Sequence, residues 1–329
     1  MRKFENVNAI GIKATFKGNG CVNFDAGEQK FELMGMGLLK GKVNDNKSYA
    51  KKVYYKDANG NTTFLYKVSS ECVRHAIFSE NMPYQSPTIT AVPQVLYNAL
   101  AMPSMLTRGY MIANKNFALK RKSPLTITDA VEDGEKRSVI SFDFHTRCGE
   151  KNVAKCEDES KDTTIYSVEN VGNVTYKADG NIDLQELQFI SADVLYDRMA
   201  VNVDGGKFEK IYLDALKHNL PNFDPKFGYY FIKNTIYQDE WAERGIMLNE
   251  ESVDYLAKYI LKNILNVKVV KRNAIFEIES LKITVNGEEI EVTKDNINDF
   301  YFGVAEKYQQ ASEDKILANK KLAESLKGK

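Results

Sequence analysis

The chain has 329 residues, 43% of them hydrophobic and 27% charged, with 45 lysines and arginines against 45 aspartates and glutamates. This is the composition of a soluble, core-forming chain about two lobes long, with no apolar run suited to a membrane span. Zero net charge excludes a uniformly cationic nucleic-acid binder but not a divided one: residues 1–125 carry 18 basic against 8 acidic side chains, an excess that the remainder cancels.

In chain order, Ile10, Ile12, Ala14 and Phe16 alternate with Lys13, Thr15 and Lys17, the period of a half-buried strand with a cationic outer face. Gly18-Asn19-Gly20 signals a turn, and a short run at 21–24 leads to Asp25 in a loop. Residues 35–62 are rich in Gly, Lys and Asn and predict a basic, partly extended excursion. A helix is predicted from Ser69 or Ser70 to about Ser79, with Val73, Ala76 and Ile77 inward, Arg74 and Phe78 together on an exposed flank, and His75 beyond the stripe. A second helix is predicted from near Thr90, with Pro93 in its first turn and Val95, Leu96, Ala99 and Leu100 at helical spacing.

Arg108-Gly109-Tyr110 opens a predicted strand at 110–113, and Lys120-Arg121-Lys122 before Ser123-Pro124 is the densest basic cluster. Residues 126–162 turn acidic and read as an insertion with a strand or hairpin near 139–145. Strands are predicted at 163–168, 174–178, 184–190 and 195–203, then a helix at 207–219 and a strand at 229–232. The helix at 249–266 holds Val253, Leu256, Ala257, Ile260, Leu261 and Ile264 at the i, i+3, i+4, i+7 positions. A hairpin at 281–292 turns on Asn286-Gly287, and a charged helix is predicted from about Ala305. Strands interleaved with helices, with at least one hairpin, define an α+β class.

Catalytic signatures are sparse. Gly18-Asn19-Gly20 lacks the third glycine and the following helix of a dinucleotide turn. His145, Cys148 and Cys156 are three soft ligands without a fourth, which favours a plain hairpin over a metal centre. No motif frames His75, His145 or His218, and His218 suits a helix C-terminus. The dispersed cysteines and the charged start without an apolar signal region predict a cytoplasmic protein with reduced thiols. The polyanion reading is the coherent one: single-stranded RNA needs cations along a groove and stacking faces, on an open antiparallel sheet or beside it. Lys13, Lys17, Arg74 with Phe78, Arg108 beside Tyr110, and Lys120, Arg121 and Lys122 supply those parts.

At these residues the sequence resembles a known family. Gly18-Asn19-Gly20-Cys21-Val22-Asn23, Cys72-Val73-Arg74-His75, Thr107-Arg108-Gly109-Tyr110 and Arg121-Lys122-Ser123-Pro124-Leu125 are similar to the backbone subunit of type I CRISPR Cascade complexes (Cas-seven, RAMP superfamily), most of all the variant type I-F minimal form. Lys161-Asp162-Thr163-Thr164, Gln185-Glu186-Leu187-Gln188-Phe189-Ile190-Ser191, Tyr196-Asp197-Arg198 and Gly245-Ile246-Met247-Leu248-Asn249 continue the likeness, which spans about residues 8–265.

The resemblance implies an RRM-like (ferredoxin-like) palm over residues 1–304, with a finger insertion at about 35–65, a thumb at about 130–182, and a C-terminal charged helix at 305–329. It implies a non-catalytic subunit, without cofactor or metal, that oligomerises along a CRISPR RNA. Its partners would be that RNA, copies of itself in a helical filament, other Cascade subunits, and target DNA through guide pairing. Arg74, His75, Arg108, Arg121 and Lys122 match the motif positions for guide contact, and Gly20 and Asn23 shape the first loop. Lys13, Lys17 and Lys120 rest on charge placement alone. Two other readings stand beside it: an RNA-cleaving subunit of type III kind using Asp25, and a stand-alone RNA-binding protein. Residues 135–160 and the segment after 305 have no counterpart in the family.

Overall fold

A computed structural model describes residues 1–25, 47–79, 93–113, 118–134, 139–148, 163–194, 197–203, 207–233, 242–271 and 274–312. The chain opens with β1 (Arg2–Val7) and β2 (Ala9–Asn19), whose Ile10, Ile12, Ala14 and Phe16 are buried as their alternation predicts. Next come β3 (Phe24–Asp25), β4 (Lys47–Ala50), β5 (Lys52–Lys56), β6 (Thr62–Val68) and helix α1 (Ser70–Phe78). Helices α2 (Pro93–Leu100) and α3 (Pro103–Arg108) lead into β7 (Tyr110–Ala113), β8 (Ala118–Arg121), β9 (Leu125–Ile127) and β10 (Ala130–Glu132).

The long strands β11 (Val139–Cys148) and β12 (Thr163–Gly172) pair as an antiparallel hairpin and run into β13 (Val174–Asp183). Beyond lie α4 (Leu184–Leu187), β14 (Phe189–Ser191), α5 (Lys207–Asn219), β15 (Phe227–Ile232), β16 (Glu243–Met247) and α6 (Glu250–Leu265). The last described strands are β17 (Lys268–Lys271), β18 (Ala274–Val285), β19 (Glu288–Val292), β20 (Phe300–Val304) and β21 (Tyr308–Gln310).

A nine-stranded antiparallel sheet organises the core in the order β17-β18-β2-β13-β10-β6-β5, with β19 on β18 and β9 on β13. At its centre, β18, β2, β13 and the β9/β10 segment lie side by side. Helix α1 lies between β2 and β9 in sequence, and α6 between β13 and β18. The two helices touch each other, α1 against β9 and α6 against β18. Helix α6 buries Val253, Leu256, Ala257, Ile260, Leu261 and Ile264, and Asn249 caps it by accepting the Ser252 N–H at 3.1 Å. Helix α1 is capped from outside: Ser69 makes no side-chain cap bond, and Asp129 accepts the Ser70 N–H at 2.8 Å.

The β11–β12 hairpin is fastened to the rest of the molecule at its root. Strand β12 runs parallel to β4, with Ser167 opposite Lys47. Glu169 is 3% exposed and accepts hydrogen bonds from the Ala50 N–H (3.1 Å), Lys52 Nζ (2.8 Å) and the Tyr66 hydroxyl (2.9 Å). One carboxylate therefore binds the hairpin root to β4, β5 and β6.

Several sequence expectations change. The run at 184–190 is not one strand: Asp183 accepts the Glu186 N–H at 3.0 Å and starts the short helix α4, so Leu184 and Leu187 are buried at helical spacing before β14 begins. Residues 197–203 are irregular, because their backbone bonds go to other segments, Lys120 N–H to Met199 O (2.7 Å) and Ala200 N–H to Ser191 O (2.9 Å). The helix predicted from about Ala305 is absent through Ser312, where β21 pairs with β15. Its remainder lies outside the described residues, as do residues 90–92 of the second helix, 35–46 of the basic excursion, and Cys156. Phe78 is 1% exposed, so the ring that lies under the Arg74 guanidinium, 6.0 Å from its centre, is a core residue and not an exposed stacking face.

Candidate nucleic-acid interface

Three segments far apart in sequence meet around Arg74. From a half-buried position on α1 its guanidinium reaches Ser123 Oγ at 3.1 Å, Leu125 O at 2.6 Å and Arg108 O at 3.0 Å. Ser123 Oγ in turn donates to Thr107 O at 3.1 Å. The β7–β8 register, with Tyr110 opposite Arg121, sets residues 108–110 alongside 121–123. Gly109 permits this approach: its φ is +76°, and a Cβ there would stand 2.6 Å from both Arg121 O and Ser123 N.

The electrostatics of this junction are unbalanced. Burial holds the Arg74 guanidinium below its ordinary value, and the nearby Arg108 charge lowers it further. Arg108 is half-buried, and His75 and Lys122 are exposed. Among the described residues, no carboxylate is ion-paired with Arg74, Arg108 or Lys122. The Arg74 guanidinium, tethered to neutral oxygens and repelled by the Arg108 charge, makes a junction whose positive charge an anion from outside would relieve.

The other predicted contacts lie elsewhere. Lys13 pairs with Glu289 at 2.6 Å and Lys17 with Glu279 at 2.6 Å, and hydrogen bonding and charge from those carboxylates raise both lysines above their ordinary values. In register, Lys13 stands between Asp179 and Lys282, and Lys17 between Thr175 and Glu277. The open sheet face is thus a mosaic of both signs, and the outward positions of β2 and β13 carry no ring. Among the described residues, β2 and β13 therefore offer no stacking ring on that face.

Lys120 pairs with Asp197. Arg121 is 7% exposed and donates to the carbonyls of Leu106 (2.9 Å), Phe189 (2.9 Å) and Leu187 (3.3 Å), so it ties α3, α4 and β14 together instead of facing a ligand. Its neighbour in the basic triplet, Lys122, points outward because the strand ends there.

Gly20 is buried with φ +77° and donates its N–H to Val171 O at 2.8 Å. Asn23 donates to Ser69 Oγ at 2.8 Å and its carbonyl accepts the Cys21 thiol at 3.0 Å, so both residues shape the first loop. Burial pushes that thiol up to about 12, and Cys21 and Cys72 are both free. Asp25 lies in β3 opposite Tyr49, and His145 and Cys148 lie in β11. Among the described residues, no three His, Cys, Asp or Glu side chains gather as a metal site. His218 occupies the last turn of α5 as predicted. Sequence reading gave no role to Ser123, the hub of the junction, which stood there only within a Ser-Pro break and the Arg121-Lys122-Ser123-Pro124-Leu125 motif.

Sheet and junction together define an α+β protein with a cationic junction that, among the described residues, no carboxylate pairs. The chain belongs to the Type I-Fv CRISPR-associated protein Cas7fv-like family, whose model matches residues 9–311. Among solved structures it is similar to a chain of a CRISPR RNA-guided surveillance complex, at 15% identity and TM-score 0.29, covering 66% of this chain and 61% of that one. A chain of a pre-nicking CRISPR RNA-guided surveillance complex matches at 11% identity and TM-score 0.38, over 84% of this chain and 75% of that one. A chain of a Type IV-B CRISPR complex matches at 8% identity and TM-score 0.28, over 73% and 90%. The chain thus spans 61% of the length of the first of these. No curated protein matches. No helix among the described residues is long and apolar enough to cross a membrane.

Proposed function

We propose that this chain is the guide-holding backbone subunit of a type I CRISPR surveillance complex, gripping the sugar-phosphate backbone of a CRISPR RNA without cutting it. The observation that carries this reading is the junction at Arg74: positive charge gathered from three segments with no carboxylate paired to it among the described residues. Arg108, Lys122 and His75 are the side chains we assign to phosphate, and Arg74 positions them through Ser123 and the Arg108 carbonyl. Gly20 and Asn23 hold the first loop. Lys13, Lys17 and Lys120 are already paired with carboxylates and Arg121 is inside, so none of the four is assigned a primary contact.

The order β18-β2-β13-β9/β10, with α1 and α6 inserted as crossovers, supports an RRM-like palm. The β11–β12 hairpin rooted at Glu169 fits the thumb, and the region at about 35–65 the finger. Contact with backbone and not with base edges leaves target DNA to be read by guide pairing, and lets identical copies repeat along one RNA beside other Cascade subunits in the cytoplasm. Asp25 remains the test of the cleaving alternative: intact complementary RNA after incubation with divalent metal excludes it, and Asp25-dependent cutting establishes it.

The decisive experiment measures CRISPR RNA affinity against salt for wild type and for Arg108→Ala with Lys122→Ala. Removing two phosphate contacts to a single strand reduces the log–log salt slope by about 1.4. An unchanged affinity and slope would overturn the assignment.

A further inference from the structure

The β5–β6 hairpin carries large rings at an edge of the main sheet, since β5 is its end strand. One face of β5 presents Lys52, Tyr54 and Lys56, opposite Tyr66, Phe64 and Thr62 in register. The Tyr54 and Phe64 rings lie 6.2 Å apart edge-on, and Phe64 meets Tyr66 edge-on at 5.4 Å. Lys52 Nζ sits 4.7 Å from the Phe64 ring centre. The row runs from the core to solvent, from buried Tyr66 to Phe64 and Tyr54, both more than a third exposed. Tyr55, 45% exposed, points from the opposite face.

Charge decides what such rings would meet. Residues 47–67 hold five lysines and one carboxylate, Asp57. That carboxylate is turned into the hairpin tip, where it accepts the Asn59 and Asn61 N–H groups at 2.9 and 2.8 Å. Protein-binding patches are depleted in lysine at their centre. Rings alternating with lysines on a strand face are the pattern that stacks unpaired bases while holding the adjoining phosphates.

We propose that Tyr54 and Phe64 form a stacking platform for an unpaired base of a bound single strand, with Lys56 on the neighbouring phosphate, separate from the Arg74 junction. The proposal rests on the RNA-binding reading above. It assigns the two faces of β5 different roles: the Tyr54 face binds and the Tyr55 face does not.

The test titrates full-length protein into single-stranded RNA containing 2-aminopurine. Wild type changes the 2-aminopurine fluorescence on binding. Tyr54→Ala abolishes that change and weakens binding about 5- to 150-fold, the range for loss of one stacked base, with the salt slope kept. Lys56→Ala lowers the slope by about 0.7. Tyr55→Ala, as exposed but on the other face, matches wild type. Tyr54→Ala binding like wild type would overturn the proposal, as would equal losses from Tyr54→Ala and Tyr55→Ala. A Tyr54→Ala effect on self-association alone would make the hairpin a protein contact and likewise overturn it. Failure of the broader reading looks different, because wild type itself then binds no RNA.

Discussion

Glu169→Gln tests how the β11–β12 hairpin is held. The carboxylate is 3% exposed and satisfies Lys52, whose side chain is itself only 16% exposed, together with the Ala50 N–H and the Tyr66 hydroxyl. Glutamine keeps the shape and one acceptor oxygen but takes the Glu169 charge away from the largely buried Lys52 ammonium. Breaking one side of a buried pair costs about 3–5 kcal/mol, and a retained neutral hydrogen bond places the glutamine near the lower end of that range. Replacing both partners, as in Lys52→Met with Glu169→Gln, removes the stranded charge and recovers much of the loss.

Urea unfolding of wild type, the single variant and the double variant measures this directly, and amide exchange reads the location, with faster exchange expected in β12 and β4. If Glu169→Gln stayed within about 0.5 kcal/mol of wild type, the typical range of surface substitutions, the latch would carry no weight. A double variant no more stable than Glu169→Gln would show that the stranded charge is not the cause.

Arg121→Ala strips the donors from three buried carbonyls and is expected to destabilise by about 3 kcal/mol or more, whereas Arg108→Ala changes stability little and RNA binding strongly; denaturant melts and RNA titrations on both variants separate the two arginines. Gly109→Ala forces a Cβ onto backbone atoms 2.6 Å away at positive φ, and a fall in Tm with loss of RNA affinity is expected because residues 108 and 122 are pushed apart. Asn249→Ala removes the cap of α6 and costs about 1 kcal/mol in urea unfolding. Partial burial pushes Asp129 up, but Lys67 and the Ser70 N–H outweigh it and hold its carboxyl below the ordinary aspartate value. Its contribution is therefore complete above about pH 4 and fades as pH falls through the depressed folded value. Asp129→Asn should flatten the acid limb of a stability-versus-pH curve, and an unchanged limb would refute the cap from Asp129.

By itself the sequence determined what short-range periodicity can encode. The alternation in β2 and the unbroken apolar stripe of α6 are local rules, obeyed because one face of each element must leave water. The Asn286-Gly287 turn was equally local, since positive φ is set by the residues that adopt it. The ordered motifs around Arg74, Arg108 and Lys122, distant in the sequence, lie side by side in the fold. Tertiary structure alone decided which cations face outward. In the Lys120-Arg121-Lys122 triplet a strand's period of two sends Arg121 inward to three carbonyls, and only packing against α3 and β14 shows which of the three that is. Lys13 and Lys17 look free in the text and are neutralised by Glu289 and Glu279, more than 260 residues away. Net charge by segment is a local sum, but an uncompensated charge is a spatial one. The surplus of ten positive charges in residues 1–125 therefore marks no surface until the fold pairs Lys13, Lys17 and Lys120 with carboxylates and, among the described residues, leaves Arg74, Arg108 and Lys122 without one.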